Sequence, residues 1–99
     1  MDNANELTIT GRLIERDVLR HTPAGIALVD FRIAHESGQV EAGAPRQVLA
    51  EVTCLATEGE ARLVAAAPLG TTVRVSGFIA AKGRSTKQLV LHVRQIEFE

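Results

Sequence analysis

Two-residue alternation, recurring five times and interrupted once by a helical pattern, is what most limits the folds open to this chain. In Leu7-Thr8-Ile9-Thr10-Gly11-Arg12-Leu13-Ile14, the residues Leu7, Ile9, Gly11 and Leu13 share one side and Thr8, Thr10 and Arg12 the other. That is the period of a half-buried strand. Gly11 within it marks a bulge or bend where a strand passes between sheet layers. Thr22-Pro23-Ala24-Gly25 then places proline to open a turn and glycine to accept a positive φ. A second strand, Ile26 to Glu36, turns Ala27, Val29, Phe31 and Ile33 to one side and Asp30 and Arg32 to the other. Ser37 to Pro45, with Gly38, Gly43 and Pro45 and few large apolar residues, reads as a long mobile surface loop. The third strand, Gln47 to Cys54, points Val48, Ala50, Val52 and Cys54 inward.

Between Thr57 and Ala67 the pattern changes to a helical one, with Thr57 as its cap and Pro68 and Gly70 as its stop. A fourth strand, Thr71 to Ala80, carries Val73, Val75, Gly77 and Ile79 on one face and Arg74, Ser76 and Phe78 on the other. A fifth, Gln88 to Phe98, alternates through Leu89, Leu91 and Val93. Lys82-Gly83-Arg84-Ser85-Thr86-Lys87 has no apolar member and must be the loop between them. The order specifies an all-β chain: a five-stranded OB-fold barrel with one short helix between strands three and four, formed as a single domain over residues 1–99. An SH3-like barrel competes, but it usually lacks a helix of this length at that point. So small a barrel buries a modest share of its surface, and a partner subunit is expected to add to it. The outward Thr8, Thr10 and Arg12 leave the first strand an edge that can pair with a symmetry mate.

Enzyme chemistry finds little support. No glycine-rich phosphate loop opens a helix after a strand, so nucleotide hydrolysis is not expected. His21, His35 and His92 are far apart, and a lone histidine on a strand is more often structural than catalytic. Cys54 falls on the inward side of its strand, which suits an inert small hydrophobe better than a nucleophile. Glu15 and Asp17 share a strand face and could hold a metal, but paired exposed acids are usually plain soluble surface. The reading therefore assigns no catalytic residue, no metal and no cofactor. One cysteine with no partner fits a reducing cytoplasm. No apolar run is long enough for a membrane span, and the start Met1-Asp2-Asn3-Ala4-Asn5-Glu6 is polar where a signal peptide is basic and then apolar.

Charge is the informative quantity. The net value of -1 conceals an asymmetry: residues 1–60 hold 5 Lys/Arg against 10 Asp/Glu, whereas 61–96 hold 6 Lys/Arg and no acid. Lys82, Arg84 and Lys87 lie on the loop between the last two strands, with Arg74 and Arg94 on the strands flanking it. Long cationic side chains on a hairpin tip suit the phosphates of an irregular single strand, although solvated tips of this kind are also common. Base stacking has fewer resources, because aromatic residues make up only 3% of the chain. Of Phe31, Phe78 and Phe98, Phe78 on an outward face is the expected platform, with packing at a subunit contact as its other reading.

The start Leu7-Thr8-Ile9-Thr10-Gly11, the turn Thr22-Pro23-Ala24-Gly25-Ile26, the segment His35-Glu36-Ser37 and the pair Arg46-Gln47 resemble the primosomal replication protein N (PriB) family. So do Val75-Ser76-Gly77-Phe78-Ile79-Ala80 and the ending Leu89-Val90-Leu91-His92-Val93-Arg94-Gln95-Ile96-Glu97. The resemblance spans nearly the whole chain. It implies a homodimer related to bacterial single-stranded DNA-binding protein. It also implies binding of single-stranded DNA, assistance to the PriA helicase and other primosome components in replication restart, and no enzymatic activity. Lys82, Arg84 and Lys87 occupy the places of that family's DNA-contacting loop. Where well-studied members carry aromatics this chain has Ala44 and Leu49, and Glu36 stands where a basic residue can occur. Those departures imply weaker, more salt-sensitive binding. They also support the alternative of a primosome adaptor with weak, incidental DNA binding.

Overall fold

The computed structural model describes residues 3–99, so Met1 and Asp2 of the polar start lie outside the described residues. In chain order the elements are β1 (Leu7–Arg16), β2 (Arg20–His21), β3 (Ala27–Glu41), β4 (Ala44–Thr57), α1 (Glu58–Ala66), β5 (Thr72–Ala81) and β6 (Leu89–Phe98). The sheet order is β1-β5-β6-β4-β3-β2, and β1 pairs with β3 as well, so the sheet closes on itself. β1 serves both sides by bending: Leu7 to Arg12 pairs with β5, and Arg12 to Arg16 pairs with β3. Gly11 stands at the changeover, where an added Cβ would lie 2.8 Å from the Ala34 carbonyl oxygen. A register shift follows between Leu13 and Glu15. The parallel seam of Cys54–Ala56 on β4 with Leu91–Val93 on β6 completes the barrel. Five long strands with one helix between the third and fourth make this an OB-fold, the order read from the alternation. β2 is a two-residue addition paired to Leu28 and Ala27.

Most of the inward residues form the core, but Ala50 and Leu89, expected inward, are exposed because their stretches run beyond the closed barrel. Leu13, Val29, Ile33, Cys54, Val73, Val75 and Leu91 are fully buried, and α1 closes one end with Ala61 and Val64. No side chain among the buried described residues is polar or charged. The Thr22–Gly25 turn forms as expected. The Gly25 amide donates to the Thr22 carbonyl at 2.8 Å, and Gly25 takes φ +86°. Thr57 occupies the N-cap position of α1, but its hydroxyl makes no capping bond. The Glu58 carboxylate instead accepts from the Ala27 amide at 2.8 Å and ties the start of the helix to the first residue of β3.

One expectation is corrected. Ser37 to Pro45 is not a mobile loop: β3 continues to Glu41 and β4 begins at Ala44, three residues before the expected start at Gln47. Registered pairing continues from Leu28↔Thr57 to Glu41↔Ala44. Ala42 (φ 53°) and Gly43 (φ 77°) both take positive φ, the requirement of a two-residue hairpin turn whose twist matches its strands. Beyond Ala34 and Glu51 this pair has no third strand and projects as a two-stranded ribbon. The signal was concealed because such turns usually announce themselves with Asn-Gly or Asp-Gly, and the ribbon has no core-facing apolar row.

Candidate nucleic-acid interface

The β5–β6 loop is closed at its base by the Lys82 amide donating to the Gln88 carbonyl at 2.8 Å. The Thr86 hydroxyl accepts from the Gln88 amide at 3.1 Å. Lys82, Arg84 and Lys87 are all exposed. Among the described residues none of them is in an ion pair, and neither is Arg74 or Arg94. Every ion pair among the described residues lies within residues 3–60, so the charge asymmetry of the sequence persists as a strip of cations on β5, β6 and their loop that have no ion-pair partner among those residues.

Lys82 also reaches a groove of about 370 Å³ on the outer wall of the barrel. Its floor is Phe31, Thr53, Leu55, Val90 and His92, and its rim comes from the end of β1, the following turn and β3. Arg16, Arg20 and Arg32 line it together with Glu15, Asp17 and Asp30. These arginines are already engaged. Arg20 pairs with Asp30, Arg32 lies 3.4 Å from Glu15 and 3.5 Å from Glu51, and Arg16 donates to the Ala67 carbonyl. Lys82 is therefore the groove cation with no partner among the described residues. The alternation of β3 turns Asp30 and Arg32 outward, but no local pattern indicates that Arg16, Arg20 and His92 join them. Only the closure of the barrel brings those three strands to one wall.

Phe78 and Arg94 meet on the outer face of β5 and β6. The register slips at Ser76/Gly77, so that Gly77 pairs with Val93 and Ser76 with Gln95, leaving Arg94 as the extra residue of a bulge. The slip needs glycine: a Cβ on Gly77 would fall 1.8 Å from the His92 carbonyl oxygen. The bulge places the Arg94 guanidinium carbon 4.9 Å from the Phe78 ring centre, a cation–π contact. On the same ring, His92 stacks at 4.9 Å between centroids and 7° between planes. Phe78 and Arg94 border a second concavity with Asn3, Ala4, Asn5 and Glu6. Asn5 is held there by two hydrogen bonds to the Ile79 backbone, at 2.8 and 2.9 Å.

The six residues singled out from sequence thus share one outward surface but not one pocket. Lys82 enters the groove, Arg84 and Lys87 lie on the loop, and Phe78 and Arg94 border the second concavity. Arg74 projects from β5 between Thr10 and Glu97. Ala44 opens β4 directly after the hairpin turn. Leu49 is 71% exposed opposite Glu36, so the ribbon offers an aliphatic side chain and no ring there.

Cys54 is buried, and burial pushes its thiol up to about 12, which keeps it protonated and unreactive. Among the described residues no three of His, Cys, Asp and Glu are grouped to hold a metal, Glu15 and Asp17 included. No described helix is long and apolar enough to cross a membrane.

Known proteins resemble this chain over most of its length. Residues 5–95 match the family described as another single-strand binding protein family. The replication restart protein PriB of Bordetella pertussis (strain Tohama I) is 38% identical over 91 residues, covering 92% of this chain and 85% of that one. The solved structure of PriB from Ralstonia solanacearum superposes with a TM-score of 0.87 at 30% identity, covering 98% of this chain and all of the other. The single-stranded DNA binding protein of Thermus aquaticus shares the fold, with a TM-score of 0.77 at 19% identity over 97% of this chain and 50% of that one.

Proposed function

This chain belongs to the PriB family of replication restart proteins, and from that membership we propose that it binds single-stranded DNA without catalysing a reaction, and assists the PriA helicase in restarting replication. The observation that carries the reading is the run of unpaired cations Arg74, Lys82, Arg84, Lys87 and Arg94 on one outer surface. These side chains hold phosphates, and Phe78, with His92 and Arg94 against its ring, backs them. Their partners in the cell are single-stranded DNA, the helicase, the general single-stranded DNA-binding protein and other primosome components, all in the cytoplasm. A homodimer belongs to the same reading. β3 pairs with β1 only from Arg12 onward and the His35 ring takes the Thr10 carbonyl, so Leu7 to Ile9 has β5 on one side and an open edge on the other.

The test is fluorescence anisotropy on labelled single-stranded oligonucleotides of several lengths, with a duplex control. The single strands are expected to bind and the duplex to bind much more weakly. A Lys82→Ala, Arg84→Ala, Lys87→Ala variant is expected to lose most of that affinity, and parental binding by it removes the mechanism. One observation favours the adaptor reading: Arg20 and Arg32 in the groove are already neutralised by Asp30, Glu15 and Glu51. Under that reading, helicase stimulation survives the triple substitution.

A further inference from the structure

The strand surface that grips phosphates has few rings. Phe31 is buried, Phe98 ends β6, and Phe78 already has His92 and Arg94 against its ring. His92, however, projects outward between its register partners Leu55 on β4 and Phe78 on β5. It lines the groove that Lys82 enters, whereas Phe78 borders the concavity on the other side. The near-parallel stack means that the imidazole is the groove-side member of a two-ring pile and is held flat from behind. A ring held in one orientation loses little further freedom when a planar base lies on it. Its neighbour Lys82 is the groove cation without a partner among the described residues, free to meet a phosphate.

We propose that His92, backed by Phe78, is the base-stacking surface of the groove, and that Lys82 holds the phosphate of the nucleotide seated there. The proposal rests on the single-stranded DNA reading and assigns the stacking role that Ala44 and Leu49 cannot fill.

The experiment compares the parent protein, His92→Ala and His92→Phe on a fluorescein-labelled oligo(dT) and on an abasic oligonucleotide of equal length, across a salt series. Loss of one stacked base is expected to weaken His92→Ala on oligo(dT) about fivefold or more. The factor is expected to be the same at every salt concentration, because no phosphate contact is lost. His92→Phe restores binding, and all three proteins bind the abasic strand alike. Parental affinity of His92→Ala for oligo(dT) overturns the proposal, as does an equal loss on the abasic strand or a change in salt slope. If circular dichroism shows His92→Ala unfolded, the phenylalanine variant decides: equal or tighter oligo(dT) binding supports the assignment and weaker binding refutes it. Failure of the parent itself to bind either strand removes the underlying reading, a result distinct from any difference among variants.

Discussion

Gly77 and Cys54 illustrate how single positions set the limits of this barrel. A methyl group on Gly77 would meet the His92 carbonyl oxygen at 1.8 Å and the Val93 Cα at 3.1 Å, backbone atoms that no rotamer change can move. Gly77→Ala must therefore separate β5 from β6. It is expected to cost about 3 kcal/mol or more in urea unfolding. It should also weaken DNA binding, because the bulge that aims Arg94 at Phe78 is lost. Cys54 carries a pH consequence. Its thiol is pushed from 9.0 up to about 12 by burial, so between those values the unfolded chain releases a proton that the folded chain retains. Stability from this group is complete below about pH 9 and is lost as pH rises toward 12. Cys54→Ala is expected to flatten that alkaline decline in thermal melts. Both residues were legible in part: alternation placed Cys54 inward and set Gly77 on one face of the fourth strand. The identity of the atoms that forbid a side chain at position 77 was not, because His92 and Val93 are distant in sequence.

The ribbon of β3 and β4 is the element whose form was least legible. Its residues Glu36 to Leu49 bury little, Val40 is 76% exposed, and two-stranded pairing alone is marginal in water. Polar ties compensate in part. The Arg46–Glu41 ion pair and the Gln47–Glu36 hydrogen bond at 2.7 Å cross its strands. At its base the His35 ring bonds the Thr10 carbonyl at 2.7 Å and the Ser37 hydroxyl at 2.8 Å. Ala42 is the weak point, since a Cβ at φ 53° is strained in the left-handed region. Ala42→Asn, the side chain preferred at that turn position, is expected to stabilise the ribbon by about 0.5–1 kcal/mol. Slower amide exchange over residues 36–49 is the measurement that checks it. The helix, by contrast, was readable from Thr57 to Ala67, because alanine content and the Pro68 stop act locally. The Glu58 carboxylate that anchors it to Ala27 depends on a strand begun 31 residues earlier.

For the molecule as a whole, the proposed assembly and binding rest on the distribution of charge and the open edge of β1. Sedimentation at micromolar concentration is expected to give twice the 10.6 kDa chain mass, and a monomer there contradicts pairing through Leu7 to Ile9. With about three phosphates met per protomer at roughly 0.7 ions each, log affinity for single strands should fall with log salt at a slope near -2 per protomer. A slope near zero would place binding outside Lys82, Arg84 and Lys87. Barrel order, most of the inward residues, the polar loop and the basic C-terminal half all follow from neighbours in sequence, since strand period, turn chemistry and charge are short-range properties. Which outward side chains share a wall is a matter of register and closure. A one-residue slip at Gly77 puts Arg94 against Phe78, and the bend at Gly11 swings Arg16 into the groove with Arg32 and His92. Those placements depend on strands meeting across the barrel, where a single residue of offset reverses the face on which a side chain stands.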